Sequence, residues 1–72
     1  MARSTVDMTI KVVDFRDRTI TTTSYPAGKA SDAERIGRNY MLAVKENWTH
    51  LDPDEVGGFY VWDDTGELLA YG

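Results

Sequence analysis

The chain has 72 residues, no cysteine and a formal net charge of −4. A domain of this size buries only about 60% of the surface that its unfolded chain would expose, so its core is small and a large internal cavity is not expected. The lack of cysteine excludes disulfides and thiolate metal sites. We expect a single domain over residues 1–72, without a signal peptide or membrane span and with a cytoplasmic location, because the N-terminal segment has no continuous apolar run.

The charges are unevenly distributed along the chain. Residues 1–45 hold all eight Lys and Arg residues and five acidic residues, a net charge of +3, whereas residues 46–72 hold seven acidic residues and no basic one, a net charge of −7. An acidic surface repels phosphate and attracts basic proteins. The distribution therefore favours a basic protein partner for the C-terminal part. The alternative is self-neutralisation, in which the acidic part folds against the basic part of the same chain.

The first predicted element is a long, half-buried strand from Thr5 to Phe15. Its alternate positions are apolar, at Val6, Met8, Ile10 and Val12. The alternation changes parity at Val13, which predicts a β-bulge or the end of the strand near Val13-Asp14.

A second strand is predicted directly after a polar turn at Arg16-Asp17-Arg18. The run from Thr19 to Tyr25 is rich in β-branched residues but poor in apolar side chains, which is typical of an edge strand in a hairpin. Pro26 is expected to end this strand, because proline cannot donate a hydrogen bond to a neighbouring strand.

A helix is predicted to begin at Ser31-Asp32-Ala33-Glu34, which has the pattern of a capping box. It should end near Trp48-Thr49. One face of the helix is apolar and should pack on the sheet; it carries Ala33, Ile36, Gly37, Tyr40, Met41, Val44 and Trp48. Glycine within a helix costs about 1 kcal/mol relative to alanine. Its presence at position 37 on the apolar face therefore indicates that helix and sheet approach closely there.

The C-terminal part predicts a short turn followed by a second hairpin. Asp52 can cap a single turn that begins at Pro53, and Gly57-Gly58 is expected to lead the chain into the hairpin. Two apolar and aromatic runs flank Asp63-Asp64-Thr65-Gly66, where Gly66 can supply a positive φ. The resulting order is ββαββ. We predict an α+β two-layer sandwich in which a four-stranded antiparallel sheet carries one helix on one face.

Both faces of the second hairpin are apolar, although one helix can cover only one of them. Phe59 and Val61 lie on one face of its first strand and Tyr60 and Trp62 on the other. The sequence leaves open which pair faces the helix. The other pair must contact a second copy, a different partner, or the loop that contains Leu51 and Val56. We predict that partner binding centres on this hairpin, at Tyr60, Trp62, Asp63, Asp64, Glu67, Leu69 and Tyr71.

No catalytic or metal-binding arrangement is apparent. His50 is the single histidine, and the acidic pairs Asp54-Glu55 and Asp63-Asp64 are adjacent in predicted turns, where solvation is their usual role. An EF-hand-like spacing that starts at Asp52 fails, because Val56 stands where an oxygen ligand is needed and a strand should follow. We therefore expect no enzymatic activity, no cofactor and no metal.

The strand and helix order, the helix opening Ser31–Ile36 and the closing hairpin Tyr60–Tyr71 resemble small phage-encoded inhibitors, notably some anti-CRISPR proteins with one helix and one sheet. Such a resemblance implies a protein that blocks a bacterial defence complex by occupying its surface, commonly a basic surface that binds nucleic acid. The first hypothesis is therefore a non-enzymatic inhibitor that binds a basic host protein or nucleoprotein complex.

Two alternatives come from the residues themselves. The first is a self-associating structural module, a homodimer whose open sheet faces pair. The second is weak nucleic-acid binding through basic side chains at Arg16, Arg18, Lys29, Arg35 and Arg38. A net charge of +3 over residues 1–45 is small, and no aromatic residues are interleaved with these side chains as stacking platforms. Direct nucleic-acid binding is therefore not expected.

Overall fold

The computed structural model describes residues 5–48 and 52–72. Its main elements are strand β1 (Val6–Asp14), strand β2 (Thr19–Gly28), helix α1 (Ala33–Asn47), strand β3 (Val56–Trp62) and strand β4 (Leu68–Tyr71). The four strands form one antiparallel sheet in the order β2-β1-β3-β4. Because α1 packs on one face of this sheet, the predicted α+β fold is confirmed.

Strand β1 lies inside the sheet and supplies much of the core. Its alternate residues Met8, Ile10 and Val12 are buried, as the sequence pattern predicted. The pairing with β2 shifts register between Val12 and Val13, and the pairing with β3 shifts between Val13 and Asp14. The predicted β-bulge is thus confirmed, but the extra residues are Ile20 of β2 and Gly57 of β3. Strand β1 itself continues to alternate, so Val13 lies on the sheet face opposite Val12.

Strand β2 is an edge strand, as predicted, but it is longer than expected. It continues through Pro26 to Gly28, so the prediction that Pro26 ends it is wrong. Proline is tolerated because an edge strand needs hydrogen-bond donors on one side only. The continuation is irregular, with a register shift between Val6 and Met8 on β1 and a φ of 55° at Ala27.

The predicted capping box does not form. A 3-10 turn at Ala30–Asp32 precedes α1, and the N-cap residue is Asp32, which makes no side-chain capping hydrogen bond. Ser31 lies inside this turn, so it does not occupy the N-cap position from which a serine hydroxyl accepts the N3 amide. The Asp32 carboxylate instead pairs with Arg35 at 3.0 Å.

The apolar face of α1 packs on the sheet as predicted. Ala33, Gly37 and Val44 are buried, and the larger side chains of that face are half-buried. The core cluster consists of Met8, Ile10, Ala33, Phe59 and Val61. Phe59 and Val61 are therefore the pair that faces the helix, which answers the question of parity that the sequence left open.

The second hairpin begins earlier than expected. Val56, Gly57 and Gly58 already lie within β3, so the glycines belong to the hairpin instead of leading into it, and Val56 is not part of a loop. The short turn before them is confirmed as a 3-10 turn at Pro53–Glu55, where the Asp54 amide donates to the Asp52 carboxylate at 3.0 Å. Gly66 has a φ of 88°, as the hairpin turn requires. His50 and Leu51, on which two of the interpretations depended, lie outside the described residues.

Candidate protein-binding surface

Tyr60, Trp62 and Tyr71 form an aromatic strip on the sheet face opposite α1. The alternation of β3 places Tyr60 and Trp62 away from the buried pair, and β4 pairs Tyr71 with Tyr60. The rings of Tyr60 and Trp62 are stacked, with centroids 5.7 Å apart and planes 22° from parallel. Tyr71 is 70% exposed. Within residues 5–48 and 52–72, α1 is the only α-helix, and it packs on the other face.

Neighbouring side chains hold the aromatic strip in place. The ammonium group of Lys11 lies 5.2 Å from the centroid of the Trp62 ring and 5.5 Å from that of Tyr60. The Tyr60 hydroxyl donates a hydrogen bond to Oδ1 of Asp17 at 2.9 Å. This hydrogen bond, followed by the negative charge of Asp17 and by desolvation, raises the pKa of Tyr60 above 10.0. The hydrogen bond to Asp17 thus orients the Tyr60 ring.

Leu69 does not join the aromatic strip. Strand β4 pairs Ala70 with Val61 and Leu68 with Trp62, so Leu69 is the extra residue at a register shift. It is half-buried and packs against the core cluster on the helix side. The sequence interpretation grouped Leu69 with Tyr71 because it assumed unbroken pairing; one irregularity in the ladder separates them.

The β3–β4 turn places three predicted acidic residues at the Trp62 end of the strip. Oδ1 of Asp63 accepts hydrogen bonds from the Thr65 hydroxyl at 2.7 Å and from the amides of Thr65 and Glu67, each at 2.9 Å. The Thr65 hydroxyl is the main cause of a lowered pKa at Asp63, and the two amides add to it against opposing desolvation. Asp63 thus stabilises the turn as well as carrying charge. Asp64 and Glu67 are exposed.

The opposite end of the strip carries charges of both signs, with Asp14 and Asp17 beside Arg16 and Arg18, none of which the sequence interpretation assigned to the protein-binding site. Asp14 accepts hydrogen bonds from the amides of Arg16 and Arg18, both at 2.9 Å, and pairs with the Arg18 side chain at 3.0 Å. The Arg18 amide is the main cause of its lowered pKa. Asp17 contacts Tyr60 across 43 positions of sequence. Periodicity carries no signal for so distant a contact.

Three arginines are paired with acids that lie close to them in the chain. Arg18 binds Asp14, Arg35 binds Asp32 and Arg38 binds Glu34, at 3.0, 3.0 and 2.8 Å respectively. Each of these partners is three or four positions away. These pairs neutralise charge within the basic N-terminal part instead of against the acidic residues 46–72, so they do not support self-neutralisation between the two parts. The pairs also reduce the positive charge that Arg18, Arg35 and Arg38 could offer to a nucleic acid.

Metal ligands and membrane-spanning helices were sought in the part of the chain that the structure describes. There, no group of three or more His, Cys, Asp and Glu side chains is placed to hold a metal ion. Over the same residues, no helix has the length and apolar character needed to cross a membrane.

Comparison with known proteins gives no further identification. No protein-family model matches the chain, and no curated protein or solved structure is significantly similar to it. Its function is therefore inferred from the surface described above.

Proposed function

We propose that this chain is a non-enzymatic binding protein whose aromatic strip attaches to a basic surface of another protein. The observation that supports this proposal is the position of Tyr60, Trp62 and Tyr71 on the sheet face opposite α1, with the acidic β3–β4 turn at one end and the Asp17 carboxylate at the other. Tyr and Trp are the residue types that most often anchor protein interfaces, because they combine a large apolar area with a polar group at the rim.

The strip is well suited to binding because it is already ordered. The stacking of Tyr60 on Trp62, the Lys11 ammonium group beside both rings and the hydrogen bond to Asp17 restrict their rotamers in the free protein. Ordering a flexible side chain on binding costs about 0.5–1.5 kcal/mol, and rings that are already held avoid much of this cost.

The acidic β3–β4 turn, with the Asp17 carboxylate at the other end of the strip, indicates the kind of partner. Asp63 has a lowered pKa and stays ionised well below neutral pH. Acidic groups around an apolar centre steer a basic protein surface toward it and repel nucleic acid. A protein that covers a basic, nucleic-acid-binding surface would exclude nucleic acid by steric and electrostatic competition. Together with the resemblance of the sequence to small phage-encoded inhibitors, this leads us to propose a phage-encoded inhibitor of a bacterial defence complex such as a CRISPR effector.

The test is affinity capture from a bacterial lysate with three immobilised proteins: the wild type, Trp62→Ser and Leu42→Ser. Leu42 is 44% exposed on the outer face of α1, so Leu42→Ser removes an exposed apolar side chain away from the strip. We expect the wild type and Leu42→Ser to retain the same basic protein and a folded Trp62→Ser variant to lose it. Equal retention by all three proteins would contradict the proposal. The captured protein should also lose nucleic acid when the wild type is added.

A homodimer is the second candidate, and the outer edge of β2 favours it. Residues Thr19–Gly28 contain no charged side chain, and charges are the usual protection of a free sheet edge. Helix α1 packs mainly over β3 and β4, which leaves a groove of about 470 Å³ beside β2, lined partly by Tyr25, Ile36 and Tyr40. Sedimentation at micromolar concentration tests this candidate. A dimer that Thr22→Lys dissociates would support pairing through β2, whereas a monomer would exclude it.

A further inference from the structure

We infer that a small pit at one end of the aromatic strip binds an arginine side chain of the protein partner. This inference deepens the proposed function and rests on it. The pit has a volume of about 190 Å³, and its lining includes Val13, Phe15, Asp17, Tyr60 and Tyr71. Drug-sized ligands usually occupy pockets of roughly 300–1,000 Å³, so this pit has the scale of one side chain.

Two glycines of β3 create the pit. Gly58 pairs with Val13 and has no side chain, so β3 places no side chain beside Val13 at this position. Gly57 allows β3 to approach β1, because a Cβ at position 57 would lie 2.6 Å from the carbonyl carbon of Asp14. A Cβ at position 58 would collide with the carbonyl oxygen of Gly72. Side chains at either position would therefore push the strands apart.

The lining has the chemistry that an arginine requires. Tyr60, Tyr71 and Phe15 offer aromatic rings, and guanidinium groups stack on aromatic faces. The Asp17 carboxylate accepts the Tyr60 hydroxyl through Oδ1. Within the described part of the chain Oδ2 of Asp17 accepts no hydrogen bond, so it can take one from an incoming guanidinium. Arginine suits the pit better than lysine, because its planar group is more weakly hydrated and can stack while it donates.

Asp17 is the acidic residue of the pit whose carboxylate is available to a partner. Asp14 also lines the pit, but the Asp14 carboxylate is already paired with Arg18. The guanidinium carbon of Arg16 lies 5.9 Å from the centroid of the Phe15 ring. An arginine of this chain thus already packs against an aromatic residue at the rim. Arg16 is also the cation that would compete with an incoming arginine.

The pit is separate from the cation site that Lys11 fills. Along β3 the open-face positions follow the order Gly58, Tyr60, Trp62. The Lys11 ammonium group lies beside Tyr60 and Trp62, whereas the pit lies toward Gly58. One cation of this chain therefore occupies the Trp62 side of Tyr60, and the Gly58 side is left for a cation from the partner.

The direct test is an NMR titration of the full chain with three blocked tripeptides, Gly-Arg-Gly, Gly-Lys-Gly and Gly-citrulline-Gly. Citrulline keeps the shape of arginine without its charge. We expect saturable shifts of the Val13, Tyr60 and Tyr71 resonances with the arginine peptide, at an affinity of about 1 mM. Binding should weaken in the order Arg, Lys, citrulline. Absence of shifts at these residues, or equal binding of the citrulline peptide, would overturn the inference.

Three variants make this test specific. Asp17 has a φ of 62°, which asparagine also tolerates, so Asp17→Asn removes the charge with little change of shape. It should weaken binding of the arginine peptide about tenfold, as the loss of a charge-assisted hydrogen bond implies. Arg16→Ala should strengthen binding about twofold by removing the competing cation. Glu67→Gln removes one charge at the opposite end of the strip and should change the affinity less than twofold.

The peptide titration and the capture experiment with Trp62→Ser together separate this inference from the proposed function. If the peptide titration fails while partner capture still depends on Trp62, the arginine pit is wrong and the binding strip stands. If partner capture does not depend on Trp62, the proposed function is wrong even where the pit binds arginine. If Asp17→Asn binds the arginine peptide as tightly as the wild type does, the role assigned to Asp17 is wrong.

Discussion

The backbone of Gly37 in α1 lies directly against the ring of Phe59 in β3. A Cβ at position 37 would overlap Cδ2 of this ring and would lie 2.7 Å from Cγ2 of Val61. The absence of a side chain at one helical residue therefore sets the distance between helix and sheet. Phe59 and Val61 lie on the helix face of β3, so the alternation of the strand places Tyr60 and Trp62 on the opposite face.

The first prediction is that Gly37→Ala destabilises the protein, although alanine is the better helix former by about 1 kcal/mol. Overpacking a core usually costs about 1–3 kcal/mol, and Phe59 and Val61 are both fully buried and have little room to move. We expect a net loss of about 1 kcal/mol in the free energy of unfolding, measured by urea denaturation.

Ala43→Gly is the matched control for this substitution. Ala43 is exposed on α1, so its replacement by glycine changes only helix propensity and should cost about 1 kcal/mol. A Gly37→Ala variant that is more stable than the wild type would contradict the close contact between Gly37 and Phe59.

The second prediction concerns Ala27, which has a φ of 55° in β2. An L-residue in this region is strained by about 1–2 kcal/mol, and glycine is not. Ala27→Gly should therefore stabilise the protein by about 0.5 kcal/mol after the greater entropy of glycine in the unfolded chain is subtracted. Thermal unfolding should show a higher Tm for this variant, whereas the Ala43→Gly control should show a lower one.

The third prediction is a loss of stability in acid through Asp63. Its pKa is lowered from the ordinary value of 3.8, so the folded state binds this proton less readily than the unfolded state does. The stability that Asp63 contributes is present above pH 3.8 and is lost as the pH falls through its lower folded-state pKa. Asp63→Asn should flatten the fall in stability over this acidic range.

Denaturant unfolding between pH 2 and pH 6 measures this effect. Glu67→Gln removes an acidic side chain from the same turn but leaves the contacts of the Asp63 carboxylate intact, and it serves as the control. The prediction fails if Asp63→Asn and the wild type lose stability in parallel as the pH is lowered.

The fourth prediction is a loss of stability in alkali through Tyr60. Its pKa is raised above 10.0 by the hydrogen bond to Asp17, so the folded state holds the phenol proton more firmly than the unfolded state does. This contribution is complete below about pH 10 and is lost as the pH rises through the higher folded-state pKa. Tyr60→Phe lacks the ionising group and should remove this part of the alkaline decrease.

Unfolding of the wild type and Tyr60→Phe between pH 8 and pH 12 checks the fourth prediction. Tyr71→Phe is the control, because Tyr71 is the exposed neighbour of Tyr60 on β4. Equal alkaline decreases for the wild type and Tyr60→Phe would show that the hydrogen bond to Asp17 adds no pH dependence.

The sequence by itself determined the number, type and order of the main elements. Periodicity marked β1 and the apolar face of α1, and a bulge near Val13-Asp14 was predicted at the position where the pairing shifts. The turn around Gly66 was also predictable, because a positive φ has a strong residue preference. These features depend on interactions between residues that are close in the chain, so the local order of side chains encodes them.

Only the tertiary structure decided which side chains form the candidate site. Phe59 and Tyr60 are both large and apolar, so alternation could not tell which of them faces α1 until Gly37 was seen against Phe59. A register shift carried Leu69 to the core, and the fold brought Asp17 to Tyr60 across 43 positions. Contacts of this kind depend on how strands and helix pack, and packing is decided by the fit of the whole core.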